Sequence, residues 1–304
     1  MITPVFAHGD EEKSGISSST LLEFQATTRP EAKLRLSQIF TFPFLQGSGP
    51  LTMDNNLKTI LTAEVTPVSL AGIAAAIWTP IAFLEVAGGA RLGSGWNMPL
   101  GNGIGLNLPV EGSGYPRKAE IDGSAFDGLQ WSAWGGGAFQ FDLAALLPGD
   151  WNHVVLRLYD ELRYSAYTRA GAGDSWILEG DVGENRNGLL WRGEAILGYQ
   201  MPLSPALNMI ALMAELEKNL YNTSGGDFWG DKLGKWVFSG ALNFSIHPRL
   251  NAMVAVQMRS RRNHGTSNFE NKDYFYQDLE LKSEEGKRRL VFYRAACIIT
   301  YTIK

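Results

Sequence analysis

KWVFSGALNFSIHPRLNAMVAVQMRSRR, residues Lys235 to Arg262, is the stretch on which the fold turns. Its first arm sets Trp236, Phe238, Leu242, Phe244 and Ile246 on one face, with Lys235, Ser239, Asn243, Ser245 and His247 on the other. His247-Pro248-Arg249 reverses the chain. In the second arm Ala252, Val254, Val256 and Met258 oppose Asn251, Gln257, Arg259 and Arg261. Period-2 alternation on both sides of a tight turn predicts an antiparallel hairpin. Strands of soluble sheets usually run about five or six residues. These arms run about ten or more, the length a tilted strand needs to cross a bilayer. The hairpin therefore predicts a transmembrane β-barrel if the rest of the chain repeats it.

Composition agrees without deciding. The chain has 304 residues, 45% hydrophobic and 19% charged, with a formal net charge of −4. Thirty-four glycines accompany 9 Trp, 10 Tyr and 15 Phe. Low charge with many Gly and aromatics suits an outer-membrane barrel, and equally a large soluble β protein. The near-neutral balance lacks the basic stripe of a nucleic-acid binder. Cys297 stands alone, which excludes an internal disulfide and a cysteine zinc site. Pro4-Val5-Phe6-Ala7, followed by His8 to Lys13, reads as the end of a secretory signal peptide, the alternative being an ordinary disordered terminus. Residues 1–18 are accordingly expected as a signal end and flexible lead, and residues 19–304 as a single barrel domain.

The alternation recurs along the chain. Expected strands are Thr20–Thr28, Lys33–Phe44, Leu57–Thr66, Ser69–Trp78, Ile81–Trp96, Phe126–Leu146, His153–Thr168, Leu189–Met201, Asn208–Tyr221, the two arms of the opening hairpin, and Leu290–Ile303. That makes twelve. Val68–Leu84 is the rival signal, seventeen residues without a charge and close to a membrane-helix length. Pro80 and the β-branched residues favour two strands turned at Thr79-Pro80. From Trp78 onward short turns alternate with long, Gly-rich or polar connections at 97–124, 169–187, 222–234 and 263–289, the last with room for a short strand at Tyr274–Lys282. Short periplasmic turns and long extracellular loops are the asymmetry of outer-membrane barrels. An all-β, antiparallel barrel of about twelve strands in the cell outer membrane is the expected architecture.

In a bilayer such a sheet must close on itself, and the apolar face meets lipid. Trp96, Trp191 and Trp236 then fall near strand ends, at the headgroup level. The opposite face becomes the lumen. Its candidate lining residues are Arg91, Arg157, Glu161, Arg163, Arg192, Glu194, Glu215, Glu217, Arg259, Arg261 and Arg294, with Lys58, Glu64 and Glu85 on the same face. Both signs occur in similar numbers, so cross-strand ion pairs could fill the interior or could border a mixed-charge aqueous path. Twelve strands permit either. Asp160 breaks the pattern by landing on the apolar face, a costly place unless a bulge, a subunit contact or a shifted register relieves it.

Signals for chemistry are weak. The four histidines, His8, His153, His247 and His264, lie in the tail, beside turns or in a loop, and none stands in an H-x-S arrangement. Asp227, Asp231 and His264 could form an acid–base site only through an accident of loop folding. Asp181, Glu184 and Asn185 lack EF-hand spacing, and the Gly-Gly pairs lack the context of a phosphate loop. No catalytic residue, metal site or cofactor is expected.

Trp78-Thr79-Pro80-Ile81-Ala82-Phe83-Leu84, Gly93-Ser94-Gly95-Trp96-Asn97, Phe139-Gln140-Phe141-Asp142-Leu143, Pro148-Gly149-Asp150-Trp151-Asn152-His153 and Gly198-Tyr199-Gln200-Met201-Pro202 resemble a group of uncharacterised spirochaete outer-membrane β-barrel proteins over about residues 55–303. The resemblance implies membrane location and brings no catalytic or ligand residues. Expected partners are the lipid bilayer and small polar solutes; nothing sets the oligomeric state. The functional expectations are a passive narrow channel, then a non-conducting scaffold or adhesin acting through loops 97–124, 169–187 and 263–287, then a hydrophobic-ligand transporter. A rim hydrolase comes last.

Overall fold

The computed structural model describes residues 15–29, 31–98, 103–109, 118–122, 124–172, 174–179, 185–202, 204, 206–220, 234–262, 264–265, 279–281 and 288–303. The signal-like segment and its polar flank, residues 4–13, lie outside them, as do Asp181, Glu184, Asp227 and Asp231.

Twelve strands form the wall: β1 (Ser17–Thr27), β2 (Ala32–Pro43), β3 (Asn56–Thr66), β4 (Ser69–Ile81), β5 (Leu84–Gly95), β6 (Gln130–Asp142), β7 (Val154–Tyr167), β8 (Gly188–Tyr199), β9 (Leu207–Asn219), β10 (Lys235–His247), β11 (Leu250–Arg262) and β12 (Arg288–Thr302). Each pairs antiparallel with its sequence neighbours. β1 also pairs with β12, from Leu21 opposite Thr302 to Thr27 opposite Ala296, which closes the barrel. Since β1 begins at Ser17, the boundary expected at residue 18 lies inside the wall. The shortest strands have 11 residues. At about 3.3 Å per residue and about 40° of tilt, such a strand rises about 28 Å, close to the hydrocarbon thickness of a bilayer.

The hydrophobic face points outward. Leu36, Leu61, Leu70, Val86, Leu92, Leu158, Leu162, Leu197, Leu212 and Val256 are all exposed along the strands. A soluble protein would not leave a belt of this extent uncovered. Aromatics gather towards both strand ends. Trp131 stacks on Tyr164 at 5.2 Å and Trp236 on Phe238 at 5.6 Å towards the loop end; Phe44 meets Trp78 edge-on at 6.1 Å at the other. These are the apolar band and girdles of a membrane-spanning barrel. Trp96 is not part of a girdle. It follows β5 and packs on Phe126 at 5.3 Å in the loop region.

Among the described residues no helix is long and apolar enough to cross a membrane. Val68–Leu84 instead becomes β4, a two-residue turn at Ala82-Phe83, and the start of β5. The turn lies three residues beyond the Thr79-Pro80 position expected for it. Pro80 sits where the β4–β5 register shifts, between Trp78 and Ile81, a place where its missing N–H breaks no ladder. Strand β6 also ends earlier than expected. Asp142 caps a short 3₁₀ turn at Leu143–Ala145 by accepting from the Ala144 N–H.

The long connections are not all irregular loop. Three of them donate short strands to a second, six-stranded sheet, in the order Asn185–Arg186, Ser175–Leu178, Ile104–Pro109, Lys118–Asp122, Leu279–Leu281, His264–Gly265. Of the strand expected at Tyr274–Lys282, only Leu279–Leu281 is described. Beneath this sheet Ile104, Leu106 and Trp176 bury against Tyr167 at the end of β7. The Asn187 side chain joins loop to wall. Its Oδ1 accepts from the Tyr167 N–H at 2.7 Å and from Trp176 Nε1 at 3.1 Å, and its Nδ2 donates to the carbonyls of Tyr167 and Ala170.

Candidate functional site: the barrel interior

Alternation sends every second wall residue inward, and the charged positions meet across strands. On β1 to β5 the register places Glu23 opposite Arg35, and Arg35 opposite Glu64. Arg35 Nε donates to Glu64 at 2.7 Å while its Nη1 donates to Glu23 at 3.0 Å. Glu64 also meets Lys33 at 3.3 Å and Arg91 at 3.2 Å. Arg91 further donates to Gln130.

A second chain of alternating sign crosses β5 to β9. Arg157 bridges Glu85 at 3.1 Å and Glu194 at 3.5 Å; Arg192 bridges Glu194 at 3.2 Å and Glu215 at 2.6 Å. Beside it Glu161 accepts from Arg163 and from the Tyr159 hydroxyl, both at 2.7 Å. Arg163 also lies over the Trp134 ring, 4.9 Å from its centroid. Lys235 pairs with Glu217 at 3.0 Å. Each buried carboxylate thus has a cation and a hydrogen-bond donor, the condition for keeping charge in a low-dielectric wall.

The sequence-expected lining residues Arg91, Arg157, Glu161, Arg163, Arg192, Glu194, Glu215 and Glu217 all take part in these inward-facing pairs. Arg294 donates to Gln257 and Glu31. Arg259 lies over the Tyr293 ring, 4.1 Å from its centroid. For Arg261 only the backbone position is described, opposite Arg289.

Tyr293 itself departs from expectation. Strict alternation puts Val291 and Tyr293 on the lipid face, but the β11–β12 register shifts between Gln257 and Met258. Beyond that bulge Phe292 is exposed outside, and Tyr293 turns inward beneath Arg29, Arg259 and Arg294, at 5.2, 4.1 and 4.6 Å.

Not every inward position is polar. Ile39 opposes Ile60 on β2–β3, Ile73 follows on β4, and Ile196, Met209 and Met213 pack together on β8–β9. The mixed-charge lining is therefore interrupted by apolar wall, at Ile73 in the loop-side half of β4 and towards the short-turn end of β2, β3, β8 and β9. Apolar residues alone could not reveal this, because Leu and Ile read the same on either face.

Glu179 is the residue that sequence reasoning missed altogether. It follows the loop strand Ser175–Leu178, has φ +51°, and its N–H donates to the Gly103 carbonyl at 2.6 Å. Its carboxylate accepts from Arg91 at 2.7 Å, Ser69 Oγ at 2.8 Å and Lys33 Nζ at 3.0 Å. The surrounding 169–187 segment is rich in Gly and acids without a period, so nothing marked this carboxylate as an interior one.

His153 pairs with Asp142 at 2.8 Å beside the β6–β7 turn, and His247 Nδ1 accepts from the Arg249 N–H at 3.3 Å. Among the described residues no histidine hydrogen-bonds a serine, and no cluster of metal-ligating side chains occurs.

No protein-family model and no curated protein matches the chain. Among solved structures, the NanC porin is similar at a TM-score of 0.42 and 8% identity, over 95% of this chain and 100% of that one. The KdgM porin is similar at a TM-score of 0.37 and 11% identity, over 94% and 99%. Outer membrane phospholipase A from Escherichia coli gives a TM-score of 0.28 at 10% identity, over 94% and 91%. The lipid-facing band and the closed wall make the protein a membrane-spanning β-barrel of the outer-membrane type.

Proposed function

We propose that this barrel is a passive, narrow channel for small polar solutes, with its tightest charged passage where Lys33, Glu64, Arg91 and Glu179 meet. The observation that supports the reading is the solvent reach of the inner wall. Side chains of Arg163 and Glu217 on that face keep 28% and 35% of their exposure, whereas Glu64 and Glu161 against the wall keep 2% and 1%. Water thus reaches the ion pairs at the loop end of the inner wall. A tightly packed interior, as in eight-stranded barrels, would exclude it. Paired charges of both signs favour weak selectivity between cations and anions.

The test is conductance of purified, folded protein in planar bilayers. Discrete steps are expected; silence from protein that still shows a heat-modifiable electrophoretic shift would overturn the channel and favour a scaffold acting through its loops. We also propose kinship with the spirochaete barrel group, supported by the turn and strand-end motifs alone. Failure of authenticated members to align with residues 55–303 would remove it.

A further inference from the structure

We propose that Lys33, Arg91 and Ser69 form a binding site for a small organic carboxylate, and that the protein's own Glu179 occupies it as an internal ligand. This rests on the channel reading above, which makes the interior reachable by solutes.

Charge is the first ground. The β1–β5 cluster holds three cations, Lys33, Arg35 and Arg91, but only two wall carboxylates, Glu23 and Glu64. The third negative charge comes from a loop. Without Glu179, Arg91 loses a 2.7 Å partner, Lys33 a 3.0 Å partner and Ser69 Oγ its 2.8 Å acceptor, all on one side. An ammonium, a guanidinium and a hydroxyl converging on two carboxylate oxygens form a receptor for that group.

Backbone conformation is the second ground. Glu179 holds φ +51°, in the left-handed region that is uncommon for a residue other than glycine. Its neighbours Trp176 and Ile177 are buried, so the loop is anchored just before the strained residue. The carboxylate is therefore held in its seat by a segment that gains backbone freedom on leaving.

The wall next to the site selects the kind of anion. Ile73 stands opposite Arg91 and Thr62, and Ile60 lies two residues further along β3 towards the short-turn end. A carboxylate with a short apolar remainder meets hydrophobic wall there; phosphate or sulfate gains nothing from it. An internal competitor lowers apparent affinity by the fraction of time it occupies the site.

The test is isothermal titration of the folded full chain in detergent with hexanoate, acetate and inorganic phosphate. Wild type is expected to bind hexanoate weakly. Glu179→Gln, and Glu179→Gly, which suits the left-handed backbone, should each bind it at least tenfold more tightly, with acetate and phosphate gaining less. Adding Arg91→Met to Glu179→Gln should abolish the gain. No gain in either Glu179 variant, or an equal gain for phosphate, would overturn the proposal. Binding is read without conduction, so tight hexanoate binding by an electrically silent barrel defeats the channel alone. A conducting barrel without the gain defeats this site alone.

Discussion

On the lipid face, midway along β7, the Trp191 indole Nε1 donates to Asp160 Oδ1 at 3.1 Å. Asp160 does point outward, as its place in the alternation requires, and no bulge intervenes: it sits regularly between Gly137 and Gly193. Those two glycines leave the carboxylate open on both sides, and the indole from the neighbouring strand reaches it. Replacing Trp191 by Phe keeps the apolar ring and removes the donor. We expect Trp191→Phe to destabilise the folded barrel by about 1–3 kcal/mol, the cost of an unmet polar group away from water. In the Asp160→Ala background the same change should cost less. The two-by-two comparison of urea unfolding midpoints in lipid vesicles measures the coupling.

Arg157 joins Glu85 to Glu194 with only 8% of its side chain exposed. Arg157→Met keeps most of the volume but leaves two carboxylates short of a cation. A loss of about 3–5 kcal/mol is expected, as for breaking one side of a buried pair. Pairing that change with Glu194→Gln should recover part of it. Equal stability of wild type and Arg157→Met would show that the chain of charges carries no structural weight.

Gly135 and Gly136 are adjacent and should respond oppositely to alanine. A Cβ on Gly135 meets nothing within 4 Å, while one on Gly136 would lie 2.2 Å from the Asp160 carbonyl oxygen. Gly135→Ala should change stability by less than about 0.5 kcal/mol, as at an ordinary surface site. Gly136→Ala forces β6 and β7 apart and should cost about 1–3 kcal/mol or more. Unheated electrophoresis of refolded protein reads the difference directly.

Asn187 makes its hydrogen bonds at the base of the loop sheet. Asn187→Ala leaves the Tyr167 N–H and Trp176 Nε1 without their acceptor. Limited proteolysis should then cut the 168–187 connection at least several times faster, with the barrel's heat-modifiable shift unchanged. Unaltered cleavage would mean that the buried Ile104, Leu106 and Trp176 hold the loops unaided.

Most of the wall was legible because a strand spanning lipid has a physical signature: long alternation with one face uniformly apolar. What alternation could not supply were its interruptions. The bulge that turns Tyr293 inward and the register shift around Pro80 each depend on an extra residue that pairing alone reveals. The paired charges of the interior were readable as one face, but their partners were not, since partnership depends on strand register. Glu179 was beyond reach for a different reason. Its position follows from a loop sheet whose strands have two to six residues, too short for any period to show.

That loop sheet also bears on how the protein's outer surface is recognised. Ile104–Pro109 hydrogen-bonds to a strand from the β7–β8 connection, and Lys118–Asp122 to one from the β11–β12 connection. Adjacent strands of this sheet therefore come from chain segments as far apart as Ala119 and Leu279. An antibody reading this surface meets a discontinuous epitope, which no single synthetic loop peptide would reproduce. Sequence drift in one connection is likewise answerable to the other two, whose backbones it must still pair.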